Sequence, residues 1–300
     1  MNASRLVVAL LVALLATAPT AVRAQGDASA LQQRLDSLAR GFRGVVGYSI
    51  HNLDAGTRLA HRGDEPFPTA SLVKVPVLIT LFELVERGMI GLDDKLTVLR
   101  IDKVGGAGQL QFLHDGAEIT VRDAAWLMTT ISDNTATNLL LDRINIRRVW
   151  ARMDSLGFPR TRVHHKSFLR TVSSVAPDSS IKYGLGVSTP NEMARVFELL
   201  VRGRAVIPRA DSVMLDILAH NEDGQLLQRF VADLRSPHKT GADDGIRTEC
   251  AVWTLPDRVI ACVFTRDAAD TRWLIDNEAQ VLMAHMGEAI VRTWRRAGAR

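Results

Sequence analysis

The chain has 300 residues, 47% of them hydrophobic and 23% charged, with a formal net charge of +4. That balance suits a soluble globular protein with its own core, arranged as one large domain or two lobes. The charge is too small to argue for a nucleic-acid partner, and none is expected.

Met1 to Arg5 gives a short positive start, Leu6 to Ala18 is almost purely apolar, and Val22-Arg23-Ala24 supplies the pattern a signal peptidase reads. A leader over residues 1–24, cleaved after Ala24, is expected. The apolar run is shorter than the ~20 residues of a membrane span, which weighs against an uncut anchor. Losing Arg5 and Arg23 lowers the formal charge from +4 to +2. The mature chain is expected to be periplasmic or secreted, monomeric and without a stable membrane span. The basic end (Arg292, Arg295, Arg296 and Arg300) reads as a solvated helix terminus.

Residues 29–41 read as an amphipathic helix carrying Leu31, Leu35 and Leu38. Val45 to Ile50 and Thr57 to His61 flank Asp54-Ala55-Gly56 as a hairpin. Ser71 to Arg87 is apolar at most positions, which predicts a helix buried on nearly all sides. Pro76 inside it leaves the Leu72 carbonyl without its usual donor. Thr120 to Ile131 and Thr135 to Ile144 read as two helices with Ser132-Asp133-Asn134 in the turn between. Residues 158–188 lack a period and read as a long surface loop, which in a compact domain is usually functional. Thr189-Pro190-Asn191-Glu192 starts a helix that stops at Gly203. A helix near 211–220 precedes strands at 236–242, 248–255 and 259–265, and 269–296 closes the chain as a helix. Trp126, Trp150, Trp253 and Trp273 fit core or interlobe packing.

Strands at both ends with helices between predict a sheet built from the two termini. The expected division is an α/β lobe from 25–67 and 210–300, and an all-α lobe from 68–209. Cys250 and Cys262 flank the turn at Pro256-Asp257. A cross-strand disulfide and two reduced core cysteines both fit, because one residue of register decides between them.

Three short motifs carry the chemistry: Ser71-Leu72-Val73-Lys74, Ser132-Asp133-Asn134 and Lys239-Thr240-Gly241. Each is weak alone; a Ser-x-x-Lys should occur by chance roughly once in a chain this long. As an ordered trio they supply a nucleophile, proton carriers and an anion-binding strand, the equipment of acyl transfer through a serine ester. Ser71 and Lys74 share a face at a helix start. Lys74 can take the serine proton only when neutral, and the helix end and the Lys239 cation both favour that form. Ser132 suits a proton relay, and Asn134 suits holding Lys74 and a substrate amide. Lys239 and Thr240 suit a substrate carboxylate, and Gly241 permits close approach. The N–H groups of Ser71 and Ala242 suit an oxyanion hole. Neither metal nor organic cofactor is needed.

The trio, with Thr69-Ala70 before Ser71, Pro76 after Lys74, Thr135 to Leu140 after Asn134, Thr189-Pro190 before a helix and His238 before Lys239, resembles the class A serine β-lactamases and their penicillin-binding relatives. The resemblance covers most of the mature chain. It implies an α/β plus all-α fold, β-lactamase/transpeptidase-like, with an antiparallel sheet flanked by the N- and C-terminal helices and the active site between the lobes. It also implies a small-molecule substrate, a β-lactam or a peptidoglycan-like peptide, opened through a Ser71 acyl-enzyme. Arg247 lies one position from where that family often places a carboxylate-binding arginine. Gly105-Gly106-Ala107-Gly108 would be a rim loop of the site.

One departure bears on turnover. Class A enzymes carry a glutamate, in the loop after the second motif, that activates the deacylating water. Here no Glu occurs from Asp154 to Asn191; the stretch reads His164-His165-Lys166-Ser167-Phe168-Leu169-Arg170. Three readings stay open: a surrogate base, His165 or Asp178; slow deacylation, as in a D-alanyl-D-alanine peptidase or penicillin-binding protein; or hydrolysis of another amide or ester. A non-turnover β-lactam or muropeptide binding protein is the competitor from another class. Paired histidines without a nearby Cys or carboxylate are weak evidence for zinc, and by themselves read as an exposed loop.

Overall fold

A computed structural model describes residues 27–295. The leader expected at 1–24 lies outside that range. Helix α1 (27–40) buries Leu31 and Leu35. Strands β1 (Val45–Asn52) and β2 (Thr57–His61) form the hairpin, and β3 (Phe67–Pro68) follows. A turn of 3₁₀-helix over Ala70–Val73 leads into α2 (Lys74–Glu86), of which ten residues are buried. Pro76 falls in the first turn of α2, where a missing N–H breaks no helical hydrogen bond. The Leu72 carbonyl receives the Lys74 N–H instead.

A small hairpin, β4 (Lys95–Val98) with β5 (Ala117–Thr120), precedes α3 (Val121–Thr130), which Thr120 and Asp123 close as a capping box. Helices α4 (Asn134–Ile144) and α5 (Ile146–Ser155) continue. The stretch 158–188, expected as an unstructured surface loop, contains β6 (Arg162–Val163), α6 (Arg170–Ser173), α7 (Pro177–Tyr183) and β7 (Gly186–Ser188). These pieces, two to seven residues long, are too short for a hydrophobic period to register. Strands β3, β7 and β6 form their own antiparallel sheet and tie both ends of this segment to the turn before Ser71.

Helices α8 (Pro190–Val201) and α9 (Pro208–Leu218) lead to β8 (His238–Asp243), β9 (Ile246–Thr254) and β10 (Arg258–Arg266). The last helix, α10, spans Glu278–Trp294. It starts later than the expected 269, because Asn277 caps it by accepting the N–H groups of Ala279 and Gln280. Residues before that cap are irregular, and Ile275 is exposed rather than on a buried helical stripe.

The main sheet is antiparallel in the order β2-β1-β10-β9-β8. Alternation along its central strands sends Ala251, Trp253 and Ala261 toward α1 and α10, and Val252, Ile260 and Phe264 toward the other helices. The architecture is therefore α/β plus all-α, an antiparallel sheet flanked by the N- and C-terminal helices. Cys250 and Cys262 lie directly opposite one another on β9 and β10 and form a disulfide. That register resolves the alternative left open by the sequence.

Candidate active site

The three motifs meet at one cleft of about 740 Å³. Ser71, Ser132, Asn134, Thr240, Gly241 and Ala242 line it. Lys74 and Lys239 are fully buried at its base.

Ser71 sits in the 3₁₀ turn preceding α2, where residues three apart eclipse one another and share a face with Lys74. Ala70 just before it has a φ of 44°. Ser132, in the turn between α3 and α4, has a φ of 59°. Left-handed backbone is unfavourable for non-glycine residues, by an amount on the order of 1–3 kcal/mol, and persists only where surrounding contacts enforce it. At Ser132 those contacts are visible. Asp133 caps α4 by accepting the Ala136 N–H at 2.8 Å, and its other oxygen accepts the N–H groups of Gln109 and Leu110 at 2.6 and 2.9 Å. One carboxylate thus binds the glycine-rich segment to the helix start, and Gly106 and Ala107 line the cleft.

Lys74 Nζ donates to Ser132 O at 2.6 Å, Asn134 Oδ1 at 2.9 Å and Ser132 Oγ at 3.1 Å. Asn134 Nδ2 in turn donates to Gly105 O at 3.1 Å. Burial holds Lys74 well below the ordinary lysine pKa, the Lys239 charge pushes it further down, and Asp133 opposes. Lys239 Nζ donates to Thr240 O at 2.8 Å and Ser132 Oγ at 3.2 Å. Burial lowers Lys239 to about 8, against the opposing charges of Asp223 and Glu249.

β8 is the edge strand of the sheet. The Val252 N–H bonds Pro237 O, and the Arg247 N–H turns to Thr265 on the other side. By the alternation of an antiparallel ladder, the Ala242 N–H points off the free edge, and Ala242 lines the cleft. Gly241 permits this strand to approach the Ser71 turn. A Cβ there would lie 2.4 Å from Thr69 O and 2.8 Å from Leu72 N. Thr248 Oγ1 donates to Thr69 O at 2.8 Å and fastens the same junction.

Arg247 does not itself line the cleft; it lies behind two residues that do, Asp243 and Trp273. Strand alternation turns it to the opposite face from Thr248, and it is absent from the cleft lining. Its guanidinium donates to the carbonyls of Asp243, Ile246 and Arg272 and lies 4.6 Å from the Trp273 ring centre. Trp273, expected in packing, is 62% exposed and lines the cleft; its Nε1 donates to Asp244. Trp126 is likewise exposed, whereas Trp253 is buried.

The loop wall holds His165, Ser167, Phe168 and Arg170. The paired histidines, expected on an exposed loop, are both buried. His164 has Nδ1 on Gly184 O and Nε2 on Ser179 Oγ, both at 2.9 Å. His165 Nδ1 lies 2.8 Å from Lys166 O. Asp178 is exposed on α7 and does not line the cleft. Asn138 fixes the wall: its Oδ1 accepts the Ser167 N–H at 2.7 Å and its Nδ2 donates to Ser167 O at 3.0 Å. The sequence places Asn138 in the segment that carries the resemblance but gives it no role, although it stands one helical turn after Asn134. It likewise gives no role to Asp223, which lines the cleft, or to Glu249, on the far face of β9. Nothing in their local sequence separates either from a surface acid.

The model of the β-lactamase enzyme family matches residues 30–294. Residues 71% of this chain in extent are 30% identical to β-lactamase L2 of Stenotrophomonas maltophilia, covering 69% of that protein. The β-lactamase from Sphaerobacter thermophilus superposes with a TM-score of 0.75 at 27% identity, covering 89% of this chain and 96% of that one. A mutant of PBP-A, solved as an acyl-enzyme complex with penicillin G, gives 0.76 at 26% identity, covering 88% and 96%. On the match along almost the whole described chain, this protein belongs to the β-lactamase enzyme family.

Proposed function

We propose that the protein is an exported, monomeric serine hydrolase of the class A β-lactamase type, opening β-lactam rings through an ester on Ser71. The observation that carries this reading is the hydroxyl of Ser132 held between the ammonium groups of Lys74 and Lys239, in a cleft also lined by Ser71. The lobe division, 25–67 with 210–300 against 68–209, goes with it.

Lys74, kept partly neutral by burial and by Lys239, takes the Ser71 proton. Oγ bonds the carbonyl carbon, and the N–H groups of Ser71 and Ala242 meet the charge that develops on oxygen. The C–N bond then breaks. Ser132 gives its proton to the leaving nitrogen and is refilled from Lys74. Lys239 and Thr240 hold the substrate carboxylate, while Asn134 orients Lys74 and the substrate amide. Water finally attacks the ester and releases Ser71, the proton returning to its oxygen.

A second reading is favoured by the loop wall. Its polar residue pinned by Asn138 is Ser167, not an acid. His165 has Nδ1 on the Lys166 carbonyl, and its Nε2, the nitrogen that would act as base, is buried out of solvent contact with no partner; Asp178 is outside the cleft lining. The ester on Ser71 would then clear slowly, the behaviour of a D-alanyl-D-alanine peptidase or penicillin-binding protein. The acyl-enzyme of the PBP-A mutant with penicillin G is consistent with that reading. Time-resolved intact mass after mixing with benzylpenicillin separates the two: an adduct that clears with many turnovers supports hydrolysis, and a persistent adduct supports the peptidase reading. No adduct together with no consumption of benzylpenicillin would overturn both.

A further inference from the structure

At the opposite edge of the main sheet from the cleft, a second pocket of about 440 Å³ lies where β2, α8 and the segment after α5 meet. Four arginines line it: Arg58 on β2, Arg195 and Arg202 on α8, and Arg204 just beyond. Arg195, Glu198 and Arg202 recur at three and four residues, so they share one face of α8. The strand order β2-β1-β10-β9-β8 separates Arg58 from β8 by four strand spacings, about 19 Å.

One carboxylate serves this cluster. Glu198 accepts from Arg58 at 2.8 Å and from Arg202 at 2.9 Å, and those contacts keep it anionic by lowering its pKa below the usual carboxylate value. Among the described residues, Arg195 and Arg204 have no acidic partner. Arg195 lies over the Phe158 ring at 5.2 Å. His51, beside Arg58 and Glu198, is pushed down to about 4 by burial and by Arg58, so it adds no charge at neutral pH. The nearby Asp54 is paired with Arg258 and acts on Arg202 only through its charge, from outside the pocket lining. Four guanidinium groups against one carboxylate leave a formal charge of +3 around a concave surface. Like charges sharing one concave surface repel one another, and an anion placed among them relieves that repulsion.

We propose that this pocket binds an organic phosphate, a phosphoryl group carried on a small apolar or sugar-sized body. Arginine forks match phosphate oxygens in paired hydrogen bonds, and the Glu198 contacts hold two of the four forks in place beforehand. The pocket is larger than a bare ion requires. Leu156 and Leu199 give the remaining space an apolar wall on which the body of the ester rests, and Phe158 backs the Arg195 guanidinium from below. Soluble phosphate esters and phospholipid headgroups share this chemistry.

The test is titration of the mature protein with glycerol 3-phosphate and with pyrophosphate, beside sedimentation with phosphatidylglycerol or phosphatidylcholine vesicles. The same series is run on Arg195→Ala/Arg204→Ala, with melting temperature and penicillin labelling as controls for the fold. Saturable binding of a soluble phosphate, weakened at least about tenfold in the variant, supports the proposal with a free ester as ligand. Binding to phosphatidylglycerol but not phosphatidylcholine vesicles, without soluble binding and lost in the variant, supports it with a lipid headgroup as ligand. Absence of binding to every phosphate probe overturns it, as does binding that the variant retains in full.

Discussion

Lys74 and Lys239 converge on one hydroxyl: their ammonium nitrogens lie 3.1 and 3.2 Å from Ser132 Oγ. Two cations this close in a buried site each disfavour the other's charge. Ser132 accepts from both, which leaves its own proton free for the cleft. In the mechanism proposed above the pair would divide the work: Lys74, the more strongly depressed, would supply the neutral amine, and Lys239 would keep a charge for an anionic substrate.

This division sets the pH dependence of acylation. Lys239 titrates at about 8, below the ordinary value of 10.5 because burial penalises its charge. Below about 8 it is charged, the form the proposed carboxylate contact needs; above, the charge is lost. Measured as kcat/KM for a chromogenic cephalosporin, acylation should fall on the alkaline side of about 8, by up to about tenfold per pH unit. The Lys74 titration acts in the opposite sense, because its neutral form is the base. A rate that continues to rise from pH 8 to 10 would contradict the assignment of Lys239.

Ser167 is a position from which an introduced acid could serve deacylation. Its backbone is clamped by Asn138 on both sides, the residue lines the cleft, and its Oγ is buried with no hydrogen-bond partner. Ser167→Glu should shorten the life of the penicillin adduct, by about a hundredfold if the carboxylate works as a general base. The acylation rate should change little. Single-turnover mass spectrometry of both proteins measures each step separately.

Asn138→Ala removes two buried hydrogen bonds and leaves the Ser167 N–H and C=O unpaired. A cost of about 2–4 kcal/mol is expected, in line with about 1–3 kcal/mol per orphaned buried group less some relaxation. Denaturant unfolding reads it directly. Protease cleavage between 158 and 188 should accelerate more than elsewhere, because the clamp is specific to that segment. Unchanged cleavage there would show that the β3-β7-β6 sheet alone holds it.

Gly241→Ala tests the approach of β8 to the nucleophile turn. The added methyl meets backbone atoms, Thr69 O at 2.4 Å and Leu72 N at 2.8 Å, and cannot be relieved by a side-chain rotation. Labelling should slow by at least about tenfold, since a small misplacement of reacting groups is costly. A variant that labels at the parental rate would mean that the edge strand does not set the geometry around Ser71.

Much of this arrangement was legible in the sequence because it rests on local chemistry. Thr120, Asp133 and Thr189 cap helices where the residue pattern predicted starts. The motif order brought Ser71, Ser132 and Lys239 to one place only through the sheet topology, which the terminal strand runs implied. What escaped the reading depends on long-range geometry. Arg247 was one position from Thr248, and in a strand one position changes the face. Trp273 reads as core by composition, yet stands at the cleft mouth in an irregular segment held by Asp270 and Asn277. Asn138 shows its role only once Ser167 lies opposite, 29 residues away.

The central claim is that Ser71 becomes acylated. Its most direct test is the intact mass of the mature protein and of Ser71→Ala, followed over time with excess benzylpenicillin. The account predicts a gain equal to one whole penicillin on the parent, mapped to the peptide containing Ser71, and none on the variant with its melting temperature preserved. A variant that still acquires the adduct would contradict the assignment of the nucleophile, and with it the mechanism proposed for this cleft.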